Sequence, residues 1–103
     1  MTAQSLILDT NLLVLFVVGS ASRNYIARHK RLKEFSELDY DVLAGIIASA
    51  SAVLVTPNTL TETSNLAGYI SEPARTHIYE FLRQLVTNGA SFTWLGHVLK
   101  LQW

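Results

Sequence analysis

The stretch Leu12-Leu13-Val14-Leu15-Phe16-Val17-Val18 is apolar without a break, and Asp9 separates it from a shorter apolar stretch, Ser5 to Leu8. A helix with no polar side has no face to offer water, so Asn11 to Val18 reads as a helix enclosed by the rest of the fold, with Gly19 as its C-terminal stop. Ser5 to Leu8 reads as a short buried strand that ends at Asp9. The run with its small-residue tail, Gly19 to Ser22, imitates a secretory signal. No Lys or Arg precedes it, however, and Asp9 interrupts the apolar stretch. It is also too short to span a bilayer, so no membrane association is expected.

Further along, Arg23 to Lys33 is the most basic part of the chain and reads as a helix or an ordered loop. Ser36 followed by Asp39 resembles a capping box. Leu38, Val42, Leu43, Ile46 and Ile47 then recur at helical spacing. Ala52 to Val55 is a second strand, ended by Thr56-Pro57-Asn58. A helix from about Leu60 to Ala67 follows and is closed by Gly68. Ser71, Glu72 and Pro73 start another helix, whose apolar face is Ile78, Phe81, Leu82, Leu85 and Val86, and Asn88-Gly89 ends it. Ser91 to Leu95 is a third strand. Strands alternating with helices imply crossover units, hence an α/β fold with a parallel sheet flanked by helices on both faces.

The chain's 103 residues suit a single domain, and with half of them hydrophobic a core can form. Eight basic and eight acidic residues leave a formal net charge of zero, without the global footprint of a duplex-DNA binder. Any nucleic-acid contact must come from a local patch. There is no cysteine, which excludes disulfides, thiolate metal sites and cysteine nucleophiles. That fits a reducing compartment, and the expected location is cytoplasmic. No Gly-rich phosphate loop is present. An aspartyl-nucleophile phosphatase would want an acid two residues after Asp9, where Asn11 stands.

Ligands of such sheets gather outside the carboxyl ends of the strands. Asp9 ends the first strand, and Glu62 lies in the first helical turn after the second. If the two strands are neighbours, both carboxylates face one crevice and repel unless a cation or proton lies between them. Hard oxygen donors favour Mg²⁺ or Mn²⁺, ions that activate water and stabilise charge on phosphate.

The stretches Leu6-Ile7-Leu8-Asp9-Thr10-Asn11-Leu12-Leu13 and Val55-Thr56-Pro57-Asn58-Thr59-Leu60-Thr61-Glu62 resemble the first two motifs of PIN-domain ribonucleases. The resemblance covers about Ser5 to Asn88. It implies a PIN-like fold and a metal-dependent cleavage of RNA phosphodiesters. Asp9 and Glu62 would be the catalytic, metal-holding acids, supported by Thr10 and Asn11. The sequence departs from the family downstream: no Asp or Glu follows Glu80, where PIN nucleases place further acids. Asp39 and Asp41 lie upstream and do not substitute for them. The expected domain therefore spans residues 1–103 with the C-terminal portion of the usual PIN domain missing. The alternative is a catalytically inactive, truncated PIN-like protein acting as a protein-interaction module.

Each of these residues also has a plainer role open to it. Thr59-x-x-Glu62 forms a capping box on paper, and Asp9 can simply cap the buried helix. Arg28, Lys30, Arg31 and Lys33 are candidates for gripping RNA phosphates, or form a solvated face balanced by Glu34 and Glu37. His29, His77 and His97 lack ligand spacing and read as ordinary surface or packing residues. Phe92 to Trp103, with Trp94 and Trp103, is apolar without evident partners, so a homodimer or a protein partner is expected there.

Overall fold

The computed structural model describes the side chains of residues 5–85 and 87 and the backbone of residues 91–94 and 99–102. In chain order the elements are β1 (Ser5–Ile7), α1 (Thr10–Ala21), a 3-10 helix (Arg23–Arg28), α2 (Glu37–Ser49), β2 (Ala52–Val55), α3 (Pro57–Leu66), α4 (Ala74–Gln84), β3 (Ser91–Trp94) and β4 (Leu99–Gln102).

The apolar run forms the central helix, as its lack of a polar side requires. Leu13, Val14, Leu15, Val17, Val18 and Gly19 of α1 are all buried. α2, α3, α4 and the 3-10 helix pack around it. Gly19 does not stop the helix, which continues to Ala21 and ends with the Ser22 N–H donating to the Val18 carbonyl. The glycine serves packing instead: a Cβ there would collide with the ring of Tyr40, so its absence lets α2 lie close on α1. Tyr40 Oη and Ser20 Oγ, 3.0 Å apart, pin the same crossing.

The Ser36–Asp39 capping box is present in full, and sets the start of α2. Only Leu43 and Ile47 of the helix's apolar set are buried; Leu38, Val42 and Ile46 face outward. Arg23 reaches across to α2 and pairs with Asp41 at 2.7 Å and Glu37 at 3.4 Å. α4 starts at Ala74 directly after Pro73, and buries Ala74 and Ile78. Its expected ending at Asn88-Gly89 lies outside the described residues, as does Val86.

β1 and β2 are parallel neighbours, in register Leu6 to Val53 and Ile7 to Leu54. The sheet as a whole is mixed rather than parallel. Its order is β1-β2-β4-β3, with β4 antiparallel to both β2 and β3. Residues 95–98 are too few for a crossover, which needs a dozen or more, so β3 and β4 can pair only as an antiparallel hairpin. The strand at Leu99–Gln102 was not expected from sequence. Val53 is paired with Leu101, and Leu101 with Phe92; Val55 is paired with Leu99, and Leu99 with Trp94. The backbone of residues 91–94 and 99–102 is therefore part of the sheet. Cover by helices on both faces is incomplete at β1, where Ile7 is 75% exposed. Among the described residues, no helix is long and apolar enough to cross a membrane.

Candidate functional site

Parallel pairing brings the carboxyl ends of β1 and β2 side by side, and the Leu8 N–H extends it by donating to the Leu54 carbonyl at 3.3 Å. Each strand then turns into a helix. At Asp9 the backbone is extended, and the carboxylate Oδ1 accepts from the Leu12 N–H at 2.9 Å. Asp9 is thus the N-cap of α1, which satisfies one orphan donor of that helix. The bond uses one carboxylate oxygen and leaves Oδ2 for another ligand.

After β2 the cap is Thr56, whose hydroxyl accepts from the Thr59 N–H at 3.0 Å, with Pro57 in the first turn. The capping box written as Thr59-x-x-Glu62 is not formed, because α3 starts three residues earlier than its pattern requires. Glu62 consequently lies in the second turn of α3, not the first, and is free of any capping duty. Its Oε1 instead accepts from the Thr10 hydroxyl at 3.4 Å. That long contact joins the two sequence stretches across 52 residues of chain. Asp9 and Glu62 are both solvent-exposed. Beside Glu62, the buried Thr63 hydroxyl has no hydrogen-bond partner among the described residues.

Asn11 points elsewhere. It lines a depression of about 300 Å³ together with Lys30, Arg31, Lys33, Glu34 and Phe35. Three of the four candidate phosphate-gripping residues therefore gather beside the first turn of α1. Arg28 stands apart, its guanidinium 5.6 Å from the centre of the Tyr25 ring. Arg31 lies 6.0 Å from the Tyr69 ring centre, a cation–π spacing. Glu37 is taken by Arg23, and among the described residues no ion pair joins Lys30, Arg31 or Lys33 to Glu34.

His29 is the residue of this segment whose importance was not legible in the sequence. It is 1% exposed, and its two ring nitrogens hold two parts of the chain together. Nε2 donates to the Ala67 carbonyl at 2.9 Å, and Nδ1 accepts from the Arg31 N–H at 3.2 Å. Burial pushes its pKa below the ordinary value of 6.5. The Lys30 N–H adds a bond to the Tyr69 carbonyl at 3.0 Å. The basic segment is thereby fastened to the end of α3, and no sequence spacing signals a contact of that range. His77, by contrast, is exposed, with Nδ1 2.9 Å from the Tyr25 hydroxyl. His97, Trp94 and Trp103 lie outside the described side chains.

Two carboxylates are hard oxygen donors of the kind Mg²⁺ or Mn²⁺ takes, with water filling the remaining positions. Among the described residues no group of three or more His, Cys, Asp or Glu could hold a metal ion. No family model, curated protein or solved structure matches this chain.

Proposed function

We propose that this chain carries a PIN-like ribonuclease site in which Asp9 and Glu62 hold a Mg²⁺ or Mn²⁺ ion. The observation that carries the proposal is the Thr10–Glu62 hydrogen bond, which ties the helix after β1 to the helix after β2 at the carboxyl ends of two parallel strands. When bound, the ion would orient and acidify a water for in-line attack on an RNA phosphodiester. The chain's own groups prepare that chemistry. The Leu12 N–H fixes Asp9 through one oxygen, and the Thr10 hydroxyl orients Glu62. Lys30, Arg31 and Lys33, beside Asn11, would take neighbouring phosphates of a single strand. A cytoplasmic location goes with this reading.

Asn caps helices as well as Asp does, so Asp9→Asn removes the charge and keeps the fold. Glu62→Gln does the same at the other carboxylate. Mn²⁺-dependent cleavage of single-stranded RNA by the wild type is expected to fall by at least about a hundredfold in each variant. Equal cleavage by all three proteins would reject the site.

A second reading rests on the absence, among the described residues, of any group of three or more His, Cys, Asp or Glu that could hold a metal. The chain would then be a catalytically inactive, interaction-only protein, with association through Phe92–Trp103. An Mn²⁺-dependent rise in melting temperature without any cleavage would favour it.

A further inference from the structure

The outer face of α2 makes poor sense in an isolated chain. Leu38, Val42 and Ile46 are 73%, 64% and 48% exposed, and they follow one another at one-turn spacing. The opposite side of the helix, through Leu43 and Ile47, already supplies the contact with the core. From Val42 to Thr61 the chain holds no charged residue, so the exposed C-terminal half of α2 lacks the Lys and Glu that ordinarily solvate a helix surface.

Gly45 adds an independent observation. Glycine is the least favourable residue in a helix interior after proline. Gly19 and Gly68 have a reason in the chain's own packing, because a Cβ at either would strike Tyr40 or Tyr79. A Cβ at Gly45 would meet nothing within 4 Å. Nothing among the described residues asks for the glycine, whereas close approach by a second helix would.

We propose that this face of α2 packs against the same face of a second copy of this chain, antiparallel, in a two-fold symmetric dimer. Leu38, Val42, Gly45 and Ser49 repeat at intervals of four, three and four, the seam of two helices packed side by side. Read in order, that seam runs large, large, small, small. Reversed, it complements itself: Val42 of each copy faces Gly45 of the other, and Leu38 faces Ser49. A two-fold axis makes each match occur twice. A mostly apolar groove of about 440 Å³, walled by Phe35, Val42 and Ile46 and also by Glu34 and Asp39, lies alongside.

The self-complementary seam selects the occupant, and charge selects the direction. Glu37, Asp39 and Asp41 all lie at the start of α2, with Glu37 and Asp41 held by Arg23 and Asp39 by Ser36. Parallel pairing would bring both acidic ends together. Antiparallel pairing separates them by the length of the helix and sets each against an uncharged end.

The chain can be tested whole by light scattering and sedimentation at about 50 μM, where a micromolar complex is largely formed. The wild type should be dimeric. Gly45→Leu fills open space in the isolated chain and improves helix propensity, so it should raise the monomer's melting temperature. It should also weaken association at least about tenfold, because Val42 of the other copy loses its hollow. Val42→Glu should likewise give a folded monomer, judged by an unchanged far-ultraviolet spectrum. A wild type that is monomeric at this concentration would overturn the proposal. So would a dimer that withstands both variants, which would place the contact elsewhere, as at Phe92–Trp103.

Discussion

His29 shows how much a single side chain can hold when both of its ring nitrogens are committed. With Nδ1 accepting from Arg31 and Nε2 donating to Ala67, the ring is the neutral tautomer, and a second proton could enter only by breaking the Arg31 bond. Burial lowers its pKa below 6.5, outweighing the raising effect of the Ala67 carbonyl, and the positive charge of Arg31 lowers it further. Above the unfolded value both states are neutral and the ring's stabilisation is complete. Below it the unfolded chain binds a proton that the folded chain does not, so stability falls with pH until the folded value is passed. Urea melts at pH 7.5 and 5.0 should show that loss, and His29→Gln should flatten the slope that His29 contributes. An unchanged slope would mean that other groups carry the pH dependence.

Among the elements, the α1–α2 crossing depends on the missing Cβ at Gly19. Gly19→Ala should cost about 1–3 kcal/mol, because the ring of Tyr40 is held by Ser20 and cannot simply swing aside. In chemical denaturation the midpoint should drop without a change in slope. A second change, Tyr40→Leu, should recover part of the loss in the Gly19→Ala background, since neighbours in contact do not act additively. A Gly19→Ala variant as stable as the wild type would show that the two helices can move apart at little cost. Glycine at this place resembled a helix stop because a stop and a close approach both favour the residue without a side chain.

For the molecule as a whole, a net charge of zero means that any attraction for RNA must be local. Lys30, Arg31 and Lys33 supply three positive charges around one depression. If they alone contact phosphate, binding of a single strand should weaken with salt at a logarithmic slope of about −2. Replacing Lys30 and Lys33 by Ala should reduce that slope by more than half, and leave the thermal melt nearly unchanged because both are exposed. Binding insensitive to salt would remove this depression from any part in RNA recognition.

What the sequence determined by itself was local. The apolar run could only be an enclosed helix, Ser36 and Asp39 could cap one without help from the rest of the chain, and β1 and β2 stood out as short apolar stretches between helices. Asp9 and Glu62 were legible as carboxylates near the ends of two strands, because strand ends and helix starts leave marks in adjacent residues. Tertiary structure decided what depends on residues far apart. It chose Leu43 and Ile47 over Leu38, Val42 and Ile46 for the core, although all five share the helical spacing. It put the cap of α3 at Thr56, which released Glu62 to meet Thr10, and it fastened the basic segment through His29 to Ala67. It also turned β3 and β4 into an antiparallel hairpin beside a parallel pair. Strand direction follows from how far the connecting chain can reach and which neighbour remains unpaired, and neither is written in the strand itself.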